Sequence, residues 1–348
     1  MLRAVPTIFD RRQFSMSDDD RARARLAWAR DALADPDATL ERASADASFR
    51  SYWRTHGVSG TWIVMDAPPQ HEDIRPWLDI DARLRAAGVH TALVRASDPE
   101  LGFVLMSDLG NDLYLPALNA SSADALYADA LDAILRMQRD ADCTGLPDYD
   151  EPRLVAEMEL LPTWFLQRHL GFTPDCDQWD VIELAFRALV TNAQEQPQAF
   201  VHRDFHSRNL MVLDHDNPGV VDFQDAVRGP ITYDLVSLLR DCYIAWPQAR
   251  IDGWREAHRL QLRHAGITDA DAARFKHWFD LMGLQRHIKV LGIFCRLWYR
   301  DGKRGYLDDL PLVWRYVREV GTHYPDIAPL VALIERALGE RDITQPAA

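Results

Sequence analysis

Apolar residues recur at helical spacing from 18 to 33, where Leu26, Ala29, Ala32 and Leu33 share one stripe. Ser17 stands before the run as an N-cap, and acidic residues fill the first turn. From 39 the pattern turns to the alternation of strands. Short strands are expected at 39–42, 49–54 and 61–66, with small residues at 44–48, a Gly-Val-Ser-Gly turn at 57–60 and Pro68-Pro69 as stops. Residues 74–87 read as a helix with Trp77, Ile80, Leu84 and Ala87 on one face, and 89–95 and 102–106 read as two more strands. This order predicts a small, mostly antiparallel sheet with one helix. Beyond Ser121 the spacing is mostly helical: 122–140, 151–170, 177–195, a helix from about Tyr233, and others to about 338. Both chain ends, 1–17 and 341–348, read as loosely ordered.

The expected class is therefore α+β and bilobal. A β-rich N-terminal lobe with a leading helix covers 18–106, and a helical C-terminal lobe covers 107–340. Residues 105–110 form the hinge, and a cleft between the lobes is the expected ligand site.

One break in the helical half carries chemistry. His202-Arg203-Asp204-Phe205-His206-Ser207-Arg208-Asn209 follows the apolar run Ala199-Phe200-Val201. Leu210-Met211-Val212-Leu213 reads as a strand, 214–219 is dense in turn formers, and Val220-Val221 starts a return strand ending at Asp222. A hairpin of this kind brings Asn209 and Asp222 together beside the loop of Asp204. One carboxylate to orient a hydroxyl, with an amide and a second carboxylate for Mg²⁺, is the kit of phosphoryl transfer. The bland alternative is a chance arrangement of loop polar residues, which the hairpin and the second Asp oppose.

Composition narrows the partners. The 348 residues carry a formal charge of −14, with 47% hydrophobic and 26% charged residues, as in an ordinary globular protein. This balance argues against general nucleic-acid binding, though a local pocket can still attract an anion. Cys143, Cys176, Cys242 and Cys295 show no metal-ligand spacing and suit a reducing compartment. No apolar run approaches a membrane span and the N-terminus has no signal-like core, so a cytoplasmic enzyme is expected. Lysine occurs only at Lys276, Lys289 and Lys303.

On these motifs the chain, from about 20 to 340, resembles the aminoglycoside phosphotransferase and choline-kinase-like family, relatives of protein kinases. Five further stretches are similar to the bacterial subgroup acting on the anomeric hydroxyl of N-acetylmuramate and N-acetylglucosamine in peptidoglycan recycling. They are 46–50, 65–69, 222–226, 229–235 and 285–292. The resemblance implies an ATP- and Mg²⁺-dependent sugar kinase with a small-molecule amino-sugar substrate. Asp204 would be the catalytic base or orient the hydroxyl. Asn209 and Asp222 would bind Mg²⁺. Leu105, Met106, Ser107 and Asp108 would offer backbone groups to adenine. Residues 44–48 would replace the phosphate loop, with Ser48 as a donor.

The chain departs from the family pattern in two places. The phosphate loop lacks glycine, and Met65 stands near the position of the strand lysine that pairs with phosphates. Arg50 or Arg54, which share the strand parity of Tyr52, would supply that charge, with Glu72 as nearest acidic partner; the alternative is that both are solvated strand charges. His202 is read as structural and Asp234 as an anchor of the catalytic loop. Arg203 would face substrate or a carboxylate, and Asp225 would touch sugar hydroxyls or cap its loop. Asp241, Tyr243 and Trp246, with Arg286, His287 and Lys289, are the remaining candidates for sugar, the basic ones for a lactyl carboxylate. At their spacing they cannot all face one pocket, and surface charge is the competing reading for each. The aromatic pairs at 164–165, 278–279 and 298–299 are read as core packing. Two alternatives stay open: a kinase of the same fold for an aminoglycoside, choline or amino alcohol, and a degenerate kinase acting as a binding module.

Overall fold

The computed structural model describes residues 17–45, 49–58 and 60–346. They form two compact units, one from residues up to 78 together with 92–109, the other from 79–91 together with 110 onward.

The first unit opens with helix α1 (Asp18–Leu33), whose N-cap Ser17 accepts the Asp20 N–H at 3.2 Å. Five antiparallel strands follow: β1 (Thr39–Ala45), β2 (Ser51–His56), β3 (Trp62–Asp66), β4 (Val94–Asp98) and β5 (Phe103–Ser107), in the order β1-β2-β3-β5-β4. Ala29 and Leu33 of α1 pack with Ala38, Val64 and Leu105 in the core of this unit. The helix also buries Arg25, whose Nη1 meets Asp66 Oδ2 at 2.6 Å while its guanidinium lies 3.6 Å from the Trp53 ring centre. Arg21 Nε takes the other Asp66 oxygen at 2.7 Å. A buried carboxylate with two arginines thus fixes α1 to β3.

Helix α2 (Arg75–Ala86) passes from the first unit into the second, and Trp77, Ile80, Leu84 and Ala87 are buried as its spacing predicts. The strand expected at 89–95 begins later, at Val94. Within the second unit the His90 carbonyl accepts the Val220 N–H at 2.8 Å, so its backbone is engaged outside the sheet.

The second unit is helical: α3 (Tyr114–Ala117), α4 (Ala123–Asp140), α5 (Glu151–Met158), α6 (Cys176–Glu195), α7 (Tyr233–Leu239), α8 (Gln248–His264), α9 (Ala272–Asp301), α10 (Leu310–Gly321) and α11 (Ala328–Leu338). The single helix expected over 151–170 is divided. Helix α5 ends at Met158, and Leu161–His169 runs as a π-helix with Pro162 in its first turn. Proline has no N–H to continue the α ladder, so the wider turn takes over. Gly292 of α9 explains the close fit here: a Cβ on it would lie 2.3 Å from the Leu160 carbonyl carbon.

Helix α9 is buried continuously from Trp278 to Gly292. A helix enclosed on all sides gives each polar residue a different buried neighbourhood. The C-terminal segment is packed, contrary to expectation, as far as it is described. Ile343 is buried, its carbonyl receives His169 Nε2 at 2.7 Å, and Arg341 Nη1 donates to the Leu170 carbonyl at 2.8 Å.

Candidate active site

Strands β6 (Gln198–Val201) and β9 (Val227–Pro230) pair antiparallel, and the 202–209 loop leaves the end of β6. Asp234, in the first turn of α7, fixes that loop. Its carboxylate accepts the His202 N–H at 2.7 Å and the Arg203 N–H at 3.0 Å. Burial pushes the Asp234 pKa up to about 7, against the pull of those two N–H groups. Burial also lowers His202 to about 4, so its ring is neutral. Its Nε2 donates to the Val221 carbonyl at 3.2 Å and its Nδ1 accepts the Asp204 N–H at 3.3 Å. Farther along, Asp241 accepts from the Ser207 N–H at 2.9 Å and the Ser207 hydroxyl at 2.5 Å.

The hairpin is shorter than its apolar pattern suggests. Strands β7 (Leu210–Met211) and β8 (Gly219–Val220) form a two-rung ladder, because the Val212 N–H turns to the Asp112 carbonyl and the Leu213 N–H to Asn217 Oδ1. It still delivers both ends. Asn209 Nδ2 lies 3.0 Å from the Asp204 carbonyl and 3.3 Å from Asp222 Oδ2, and Gln224 Nε2 holds Asp222 Oδ1 at 3.0 Å. With its NH₂ so engaged, Asn209 turns its carbonyl oxygen to other partners. Arg203 (φ 77°) and Asp222 (φ 64°) both adopt left-handed backbone, a strain found where the fold over-determines a functional position.

A charge cluster that no motif announces surrounds Asp204. Glu157 of α5 receives Arg203 Nη2 and Tyr149 OH in short hydrogen bonds and lies 3.1 Å from Lys289 Nζ. Lys289 Nζ also reaches Tyr233 OH at 3.2 Å. Burial works to raise the Asp204 pKa, yet Lys289, His206, Arg286 and Arg203 together leave it below the usual carboxylate value. The Asp204 carboxyl is therefore ionised.

The remaining substrate candidates separate by place. Arg203, Arg286 and Lys289 converge on Asp204 electrostatically. His287 does not: its Nε2 donates to the Arg240 carbonyl at 2.9 Å, its ring stacks on Tyr316, and burial lowers its pKa to about 3. Trp246 donates from Nε1 to Tyr127 OH at 2.7 Å and packs on Trp254. Tyr243 lies beneath the Arg208 guanidinium at 3.5 Å and edge-on to His206. Asp241 is occupied with the loop, and Asp225 is exposed, its carbonyl 3.4 Å from Arg203 Nη1.

Of the nucleotide candidates in the first unit, Ser48 lies outside the described residues. Arg50 precedes β2 rather than lying on it, so strand parity groups only Tyr52 and Arg54. Arg50 is buried and pairs with Glu72 at 3.0 Å, while Arg54 grips Asp108 through two bonds, Nε–Oδ2 2.6 Å and Nη2–Oδ1 3.0 Å. Met65 is fully buried. Leu105 and Met106 lie within β5, paired to β3 on one side and to β4 on the other, so their backbone groups are engaged in the sheet rather than offered to adenine as expected. The Ser107 N–H and hydroxyl both engage Leu93.

A strained loop with an ionised Asp, an Asn–Asp pair beside it and a separate antiparallel sheet define a kinase-type phosphotransferase. A family model described as the phosphotransferase enzyme family matches residues 39–275, and the chain belongs to that family. It is 46% identical over 300 residues to an N-acetylmuramate/N-acetylglucosamine kinase of Pseudomonas putida, covering 86% of this chain and 88% of that one. A protein of the same name from Pseudomonas aeruginosa is 42% identical over 331 residues, covering 92% and 97%. In fold the chain is similar to an ADP-bound aminoglycoside phosphotransferase, with TM-score 0.54 and 14% identity over 79% of this chain and 92% of that one. Among the described residues no helix is long and apolar enough to cross a membrane.

Proposed function

We propose that this protein is an ATP- and Mg²⁺-dependent kinase that phosphorylates the anomeric C1 hydroxyl of N-acetylmuramate and N-acetylglucosamine. The observation carrying the reading is the hydrogen-bonded Asp204–Asn209–Asp222 set, in a chain 46% identical to a kinase named for those sugars. Asp204 orients the C1 hydroxyl and takes its proton as the oxygen bonds to the γ-phosphorus of ATP and ADP departs. An anomeric hydroxyl is more acidic than an ordinary alcohol, so a carboxylate of low pKa suffices.

Mg²⁺ fits the donor set. Asp222 offers a charged oxygen and Asn209 a neutral one, and among the described residues no third acidic, His or Cys side chain joins them as a metal cluster. Two protein oxygens suit an ion whose other ligands are water and phosphate. When bound, the cation neutralises phosphate charge; Asn209 and Asp222 hold it, and Gln224 steadies Asp222. Arg50, paired with Glu72, is the residue we infer to replace the missing strand lysine.

An ATP-consumption assay with Mg²⁺ and N-acetylmuramate, N-acetylglucosamine, kanamycin or choline tests the proposal. Turnover is expected with the two amino sugars. Consumption only with kanamycin or choline, or with none of the four, sinks it.

A further inference from the structure

Three cations were candidates for an acidic group on the substrate, and their surroundings distinguish them. Lys289 is committed to Glu157 and Tyr233, and His287 is neutral and directed to Arg240. Arg286 differs from both. It is 4% exposed, and its one side-chain hydrogen bond among the described residues runs from Nη1 to Cys242 Sγ at 3.1 Å. Among those residues no carboxylate lies within ion-pair reach of it. A permanently charged guanidinium buried against a neutral thiol has no direct ion pair there, and Asp204 acts on it only at longer range.

Glu157 is already shared by Arg203 and Lys289. Cys242 follows Asp241, the residue that fixes Ser207, whereas the Asn209–Asp222 pair meets Asp204 through its carbonyl. Arg286 is thus anchored on the α7–α8 connection, apart from the metal pair, yet near enough to act on the Asp204 charge.

We propose that Arg286 is the specificity residue for a carboxylate on the acceptor sugar, the lactyl group that N-acetylmuramate has and N-acetylglucosamine lacks. This rests on the functional reading above. A guanidinium forms paired, charge-assisted hydrogen bonds with a carboxylate, and the incoming anion gives Arg286 the direct ion pair that no described residue supplies.

The experiment compares kcat/KM for both sugars in wild type, Arg286→Met and Arg286→Lys, with thermal melting of each protein. Because Arg286 also acts on Asp204, Arg286→Met is expected to lower kcat/KM for both sugars, but by about 10- to 100-fold more for N-acetylmuramate than for N-acetylglucosamine, and Arg286→Lys to recover part of that difference. The amide of N-acetylmuramate, assayed with wild type, gives a readout independent of any variant, and it should be disfavoured by a similar factor. Equal loss on both sugars would place Arg286 at the phosphoryl group or in the fold and overturn the inference. Indifference of wild type to the amide would overturn it as well. Wild type inactive on both sugars would instead remove the functional reading itself, an outcome distinct from turnover of both without discrimination.

Discussion

The sheet unit and the Asp204 cluster partner their arginines differently. In the sheet unit Arg50 has Glu72, Arg54 has Asp108, and Arg21 and Arg25 share Asp66, so each of these cations meets a carboxylate. In the helical unit Arg203 and Lys289 share Glu157, and Arg286 has no carboxylate among the described residues. Matched charges hold strands and connections in place. Arg203, Arg286 and Lys289 help keep the buried Asp204 carboxylate ionised, on a chain whose formal charge is −14. Local sign, set by which side chains the fold collects, matters more to the site than the net total.

The largest test of this contrast is Asp204→Ala. It removes the proposed proton acceptor and leaves the cations in place. We expect kcat to fall by about 10²- to 10⁴-fold, the range for loss of a general base, with nucleotide affinity largely kept. Titration of a fluorescent ATP analogue beside steady-state kinetics separates the two quantities. Near-normal kcat would remove Asp204 from the mechanism.

Much of this was readable from the residues alone, and the part that was not has a common physical cause. The bounds and cap of α1 follow from Ser17 and the local spacing. The Asp204, Asn209 and Asp222 set is local as well, since a single tight hairpin brings its members together. Glu157 escaped notice because nothing near it in sequence marks it; one of its partners, Arg203, is 46 residues away. Lys289 and His287 differ by two positions on a helix, and only the packing around a fully buried α9 shows that one joins the site and the other does not. The order of the C-terminal segment likewise depends on His169, 174 residues before the carbonyl it meets. Apolar period reports which face is buried, but not what lies across from it.

A second test works on the paired arginines. If Arg50 meets phosphate and Arg54 only braces Asp108, their alanine variants should fail differently. Arg50→Ala should raise the KM for ATP by about 10-fold, the scale of one charge-assisted hydrogen bond, and lower kcat with it. Arg54→Ala should leave the KM near normal and cost about 1 kcal/mol of stability, because its pair with Asp108 is partly exposed. Urea melts read the stability, and ATP saturation curves read the KM. Normal ATP kinetics in both variants would refute the replacement of the missing lysine by either arginine.

The smallest expected effect concerns acid. Burial lowers His202 and His258 to about 4 and His287 to about 3, all within the helical unit. A histidine kept neutral in the fold binds fewer protons than in the unfolded chain as pH falls from about 6.5 toward 4, so stability declines across that window. Asp234 acts in the opposite sense: with its pKa raised to about 7, it favours the folded state most at low pH and loses that contribution as pH rises from about 4 to 7. Three histidines against one such aspartate leave a net loss on acidification. His258 is the cleanest probe, since it lies away from the Asp204 cluster with Nε2 at 3.3 Å from Gln138 Oε1 and Gln261 as its other polar neighbour. His258→Gln should flatten the fall in melting temperature between pH 6.5 and 4.5 by an amount equivalent to about 1–2 kcal/mol. Hydrogen exchange at the lower pH should show amides of α4 and α8 opening before those of β3 and β5. Simultaneous opening of both units, or an unchanged pH slope in the variant, would show that acid sensitivity does not follow the contrast between them.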